Sequence, residues 1–551
     1  MTDKRWAKPL MARDQQWMCT SLDDLVAPDH VIRFLDAVLL ELDWRQWERL
    51  YRNDRRGQPP IHPRLLAGCI LYGLTRKIRS SRELEEATRE RVDFRWFLQG
   101  RTIDHSTFAN FRVAFSKLLK ELNRNFARRI CEAYEEALEM LVVDGTRMRA
   151  NSDRHGARTA EGLERLVARC TQLLNERLAL IEDADAQDSE QSQELAALHA
   201  EIAQLQGKIT QYETAAQVAK ARDDKRRKKQ GNKAPAVSVP VTDPDSTIVP
   251  NKEGGFAPNY TPTVGVDAAS GALVSGDVPE GSQESGAVMS ALEEARRLGG
   301  KPQRVMGDTA FGCGENLEQL HAEQVEACMP TGTDFRPSNR ANRPDPTQPV
   351  PQDQWDQLPM AGRTLRPSAF IYDAARDQYR CPMGRPLTPQ SRGRRRNGAQ
   401  CVVYACPGRE GCPLAGRCIA GDRPARTLAR DQYQDLRDQV GRRMATQQGT
   451  QLYKKRAPLV EVVFARIKAQ MGIRRFLLRG LEKVRTEWDW VCCAYNLKII
   501  LQRHQQRAPS PANDARQDRS LAHKRLLCPI WNMVPVVPPL KAGRRTATQL
   551  A

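Results

Sequence analysis

The sequence predicts an α/β core that is preceded by an all-α domain and interrupted by two insertions, one helical and one rich in cysteine. Three observations predict it. Apolar residues recur at spacings of three and four through the first 135 residues, short β-branched runs then end at Asp144 and Asp308, and the tracts around them carry a heptad seam and a cluster of cysteines.

In VIRFLDAVLLELDW, LLAGCILYGL and LLKELNRNFARRICEAYEEALEML the helical spacing is sustained, so residues 1–135 form an all-α unit. Within it SSRELEEATRERVDFRWFL opens on a Ser cap and an acidic first turn, and DHSTFANFRVAFSKLL starts another helix after a Gly-containing break. Two short helices joined by a tight turn would make a helix-turn-helix, with Arg101, His105, Asn110 and Arg112 near the start of the second helix placed to meet DNA. An ordinary helical bundle with a charged surface is the other reading.

The pattern changes at MLVVDGTRMRANS, a buried strand ending at Asp144 that opens the first part of the core over 136–160. TPTVGVDAASGALVSGDV reads as a hairpin, KPQRVMGDTAFG as a strand ending at Asp308 and VEACMP as a last strand, giving the second part over 236–335. The core closes over 431–502 with the helix RAPLVEVVFARIKAQM, which carries Glu461, and the amphipathic RGLEKVRTEWDWVCCAYNLKIILQRH. In the insertion 161–235, Leu195, Leu198, Ile202, Leu205, Ile209 and Tyr212 alternate three and four apart, and Leu163, Leu166, Cys170 and Leu173 keep the same rhythm. That predicts an antiparallel coiled-coil-like hairpin or, alternatively, a self-association seam. The basic run 220–233 reads as a solvated linker too polar to pack, residues 336–430 as the cysteine-rich insertion, and the Pro-rich basic tail 503–551 as disordered.

A formal net charge of +19 points to a polyanionic partner, nucleic acid first. No apolar run approaches the roughly 18 residues of a spanning helix, and the start MTDKRWAKPLMARDQQW has no apolar stretch after its charges. A cytoplasmic, nucleoid-associated protein with mostly reduced thiols is expected.

Phosphodiester chemistry by two divalent metals needs carboxylates that set two hard cations about 4 Å apart. Asp144 and Asp308, each at the end of an apolar strand, can project from a sheet edge into a cleft, although strands often end in an Asp turn. Glu461 stands between Val460 and Val462, read as the apolar side of its helix, where a carboxylate is costly unless paired or bound to metal. Tyr453, Arg456 and Lys468 lie one to two turns away, and such a face suits a metal-bound phosphate and its backbone; a surface face with an intrahelical ion pair is the alternative.

These residues resemble the DDE transposases of bacterial insertion sequences. The likeness runs over most of residues 30–500, with Asp144 in VVDGT, Asp308 in GDTAFG, and Tyr453, Arg456, Glu461 and Lys468 in the family's order on one helix. Four residues rather than three separate Arg456 from Glu461. TDPDSTIVPNKEGG, GIRRFLLRGLEKVRTEW and the helical start are similar to stretches of one branch of the family. The resemblance implies a ribonuclease-H-like core and Asp144, Asp308 and Glu461 as ligands of Mg2+ or Mn2+. It also implies a helical DNA-binding domain, DNA contacts at Tyr453, Arg456 and Lys468, and a homo-oligomer on DNA that cleaves transposon ends and transfers strands.

Cys381, Cys401, Cys406, Cys412 and Cys418 crowd a Gly-, Pro- and Arg-rich stretch with little apolar content. Such a stretch is not expected to build a core, so four of the five thiols are expected to hold a structural Zn2+, with reduced unligated thiols as the alternative. Similar cysteine-bearing inserts occur in this branch of transposases.

Overall fold

The computed structural model describes residues 21–51, 59–153, 155–186, 192–231, 234–250, 254–281, 283–395 and 398–507. The first tract folds as helices α1 (Val31–Leu40), α2 (Pro63–Thr75), α3 (Ser81–Glu90), α4 (His105–Ala114) and α5 (Ser116–Cys131). Ser80 and Glu83 cap α3 reciprocally, as the Ser and acidic first turn predict. A further helix, Val92–Phe97, and the turn through Gly100 separate α3 from α4, so the two are not the tightly turned pair expected.

Five strands build the core sheet: β1 (Met140–Gly145), β2 (Thr263–Asp267), β3 (Leu273–Asp277), β4 (Arg304–Met306) and β5 (Glu326–Cys328). Their spatial order is β5-β4-β1-β2-β3; β1, β2 and β3 run antiparallel, whereas β4 and β5 run parallel to β1. The apolar runs explain the placement: Leu141, Val142 and Val143 are fully buried, and every residue of β2 is buried, as a strand covered on both faces requires. Helix α8 (Ala287–Arg297) packs on β1, β2 and β3, and α9 (Gly314–Ala322) leads into β5.

The heptad tract forms α6 (Ala160–Ala186) and α7 (Ser192–Gln230), packed together as the hairpin alternative predicts, with Arg177 paired to Glu201 at 2.9 Å. The basic run does pack in part, contrary to expectation. Helix α7 continues through it to Gln230, the Arg222 guanidinium donates to the carbonyls of Asp245 and Ser246, and buried Asp223 accepts the Val237 N–H at 2.6 Å. Those bonds satisfy the charges locally; residues 232 and 233 lie outside the described residues.

The cysteine-rich tract also differs from expectation, because it builds its own sheet and core. Strands β6 (Ile371–Asp373), β7 (Gln378–Arg380), β8 (Pro386–Arg394), β9 (Gln400–Ala405) and β10 (Thr427–Asp431) form an antiparallel meander in chain order. Tyr372, Tyr379 and Tyr404 pack against one another in tilted and edge-on contacts with centroids 5.1–6.1 Å apart, and Val350, Leu365, Phe370, Leu387 and Leu428 share their core. Aromatic rings supply enough apolar area to offset the Gly, Pro and Arg around them.

The chain then returns to the core through α10 (Gln434–Ala445), α11 (Gln447–Lys454), α12 (Arg456–Ala465), a wider π-turn over Arg466–Gln470 and the long helix α13 (Leu481–Arg507). Cys492 and Cys493 are core residues of α13, as is Cys69 of α2. Helix continues to Arg507, so the expected disorder does not begin at residue 503; residues 508–551 lie outside the described residues, as do 1–20. The opening of α13 explains why TDPDS and RGLEK occur together: Asp243 accepts the Gly480 N–H at 3.1 Å and Asp245 the Leu481 N–H at 2.8 Å, satisfying orphan donors of the helix start. No helix among the described residues is long and apolar enough to cross a membrane.

Candidate active site

Val142 of β1 lies opposite Met306 of β4 in the parallel pair. Asp144 and Asp308 are each two residues beyond that rung, so the register brings to neighbouring strand ends two carboxylates that are 164 positions apart in the chain. Adjacent strands are about 4.8 Å apart, so the two backbones end side by side. The Asp308 carboxylate accepts the Ala310 N–H at 2.8 Å, and the fully buried Phe311 anchors the turn, so GDTAFG works as strand, turn and plug.

Arg456, at the start of α12, donates from Nη2 to Asp144 Oδ1 at 2.8 Å, and both side chains are largely shielded, at 14% and 19% exposure. This differs from the expected DNA contact, because the guanidinium is engaged by a carboxylate at the strand end. Tyr453, on α11, shares the environment. Burial raises its hydroxyl pKa, Arg456 opposes that, and the charges of Asp308 and Asp144 add to it.

Lys468, in the π-turn, donates to Thr146 Oγ1 at 2.6 Å and to the Arg147 carbonyl at 3.0 Å, bracing the turn that follows Asp144. The reasoning for Glu461 needs correction. Val460 is buried but Val462 is 47% exposed, and Glu461 is itself exposed, because the buried side of α12 is the line Val460, Val463 and Ile467. At 100° per residue Glu461 sits off that line, on an exposed flank of α12.

One acidic residue of the site escaped the sequence reading. The carboxylate of Glu284 lies against Gly145, so closely that a Cβ built there would stand 2.2 Å from its Oε2. Burial, then the charges of Asp308 and Asp144, push its pKa up to about 7, while Arg147 pulls it down. It sits in the polar run EGSQESG, where no spacing marks it.

Among the expected DNA contacts of the helical domain, Arg101 and Asn110 are exposed. Arg112 is not available. Its guanidinium is buried where the domain meets α13, facing Arg79 and Glu487, and burial lowers its pKa to about 10. Of the five clustered cysteines, Cys381 and Cys418 are buried in the small core of the second sheet and Cys406 and Cys412 pack against it, whereas Cys401 stands at the other end of β9.

A family model described as a transposase DDE domain matches residues 380–501, and one described as a transposase domain (DUF772) matches residues 20–114. The two matches together indicate an insertion-sequence DDE-type transposase. The first match takes in Glu461 and Lys468, and the second covers most of the helical domain, whereas Asp144 and Asp308 lie between the two. No curated protein matches the chain.

Proposed function

We propose that this transposase cleaves DNA at transposon ends and joins the freed strand to target DNA, with Asp144, Asp308 and Glu461 as the ligands of divalent metal in a ribonuclease-H-like core. The observation that carries the reading is the register of β1 and β4, which aligns Asp144 and Asp308 at one sheet edge beside the helix that bears Glu461. A mixed sheet with an Asp ending its first strand and two parallel strands beside it suits that core. Asp144 pairs with Arg456, and the Glu284 carboxylate lies against Gly145, so carboxylates gather at the strand end where a hard cation would be held.

Bound Mg2+ or Mn2+ would activate the attacking oxygen and stabilise the leaving one. The protein's own residues set the stage for that chemistry. Arg456 orients Asp144, Lys468 fixes the turn after it, and the exposed Arg474, Arg475 and Arg479 offer a basic rim to phosphates. The exposed Arg101 and Asn110 keep the helical domain as an end-binding surface. The test is a labelled transposon end incubated with Mg2+ and a target duplex. Cleaved and strand-transferred products are expected, and Asp144→Asn, Asp308→Asn and Glu461→Gln should each abolish both while leaving end binding intact. Cleavage without joined product would make the chain a nuclease, and full activity of Glu461→Gln would remove it from the site.

A further inference from the structure

We propose that Cys381, Cys406, Cys412 and Cys418 bind one Zn2+ at one end of the second sheet, and that Cys401 takes no part. Topology carries the argument. In the antiparallel meander β7 and β9 run in the same direction, so Cys381, just after β7, and Cys406, just after β9, emerge at the same end. Cys412 and Cys418 bracket the turn that follows, and all four belong to or pack against one small core. Cys401 lies five residues before Cys406 along the same strand, about 17 Å away at roughly 3.3 Å per residue, beyond the reach of a shared ion.

The surroundings of the thiols suit thiolate ligands. Cys381 opens a tight turn closed by Gly384 N–H to the Cys381 carbonyl at 2.9 Å and Cys381 N–H to the Arg385 carbonyl at 3.0 Å. Gly384 has φ +73°, a conformation a side chain would strain. Backbone N–H groups of Met383 and Arg385 are aimed at the Cys381 sulfur. Cys406 Sγ accepts the Arg426 N–H at 3.2 Å, and the Arg426 guanidinium donates to the Cys418 carbonyl at 3.3 Å. Cys418, like Cys381, is buried in that small core, and Cys406 and Cys412 pack against it. N–H donors trained on sulfur are the outer support that metal-bound thiolates need, and an all-sulfur tetrad selects zinc.

Among the described residues, the set of potential ligands whose atoms all lie within 4.8 Å of one another is Glu85, Asp104 and His105. The four sulfurs stand wider, so reaching Zn–S distances of about 2.3 Å requires the thiols to rotate inward. Binding therefore tightens this end of the sheet and releases thiol protons.

The full chain, purified under reducing conditions and supplied with zinc alone, is expected to hold about one zinc per chain by elemental analysis. Cobalt in its place is expected to give the visible spectrum of a tetrahedral thiolate site. Cys401→Ser should retain the metal; Cys406→Ser and Cys412→Ser should lose it. Cys412→His guards against simple misfolding, since a nitrogen ligand should keep the ion and shift the cobalt bands. The proposal fails if the wild-type chain holds no stoichiometric zinc, if Cys401→Ser loses metal as Cys406→Ser does, or if mass analysis finds the four cysteines joined as disulfides.

Discussion

Two five-stranded sheets share this chain and are put together in opposite ways. The core sheet gathers strands from Met140 to Cys328, with a long helical hairpin threaded between its first two. The second sheet is a meander completed between Ile371 and Asp431, each strand pairing with the next. The core sheet places Asp144 beside Asp308 only after distant segments have met; the second sets four of its cysteines in or against one small core largely through neighbouring turns. The apolar clusters follow the same division. Buried residues of the helical domain and the core form one continuous cluster, whereas the second sheet and the helical hairpin each bury a small cluster of their own. Sites assembled from remote segments depend on the whole fold, and local ones need only their own module.

The sharpest test of this contrast is at the seam between the helical domain and the core. Glu487 accepts the N–H groups of Leu477 and Leu478 at 2.9 Å, lies 3.5 Å from Arg79 and faces the buried Arg112. Glu487→Gln removes the stronger of the two counter-charges that face both guanidiniums, leaving Glu83, and is expected to cost about 3 kcal/mol in denaturant unfolding of the core. The transition of the second sheet, followed by tyrosine fluorescence of a variant with its tryptophans outside that sheet replaced, should not move. A common shift would show that the two cores unfold as one.

A second effect depends on pH. Burial raises the Asp489 pKa to about 7, with Asp277 adding to it and Lys120 and Arg485 opposing. Against an unfolded value near 3.9, the folded state holds the proton more tightly. Its stabilisation is complete below about pH 3.9 and is lost as pH rises through about 7. Asp489→Asn should therefore raise the melting temperature at pH 8, by at most about 4 kcal/mol in stability, and leave it unchanged near pH 4. An equal gain at both pH values would mean that the carboxylate is not the cause.

The smallest expected effect comes from the largest deletion. Thr331 and Thr333 both donate from their hydroxyls to the Arg437 carbonyl, at 3.0 and 3.4 Å, so the chain leaves for the second sheet and returns from it at one place. Replacing residues 335–432 by five Gly and Ser residues, which span about 12 Å, should change the core's unfolding midpoint only slightly and spare end binding. Collapse of the core would mean that the second sheet is a structural part of it.

Much of the core was legible because its signals are local. VVD and RVMGD are short apolar runs that stop at an acid, and the heptads of the hairpin repeat for many turns. What escaped depends on contacts far along the chain. Arg112 reads as a surface residue of an amphipathic helix, and only docking against Glu487, 375 residues later, turns it inward. Glu284 lies in a polar run whose approach to Gly145 arises from tertiary packing. Strands such as Gln378–Arg380 and Pro386–Arg394 are too short, or too rich in arginine and too exposed, for alternation to reveal them. Glu461 shows a subtler error, since a carboxylate flanked by valines looks apolar in a linear reading but rotates to the exposed flank in a helix.

The side chain of Asn496, wholly buried on α13, accepts the Leu273 N–H at 2.9 Å and donates to the Leu273 carbonyl at 2.8 Å; it also donates to Asn123, whose own amide donates to the same carbonyl at 3.1 Å. Leu273 opens β3, the outermost strand on its side of the core sheet. The carboxamide therefore occupies the rung that another strand would take, and the open border of the sheet is closed by a side chain to stray pairing with a neighbouring molecule. In a strongly basic protein, whose copies would crowd on any polyanion, a guarded rung of this kind works against strand-by-strand association.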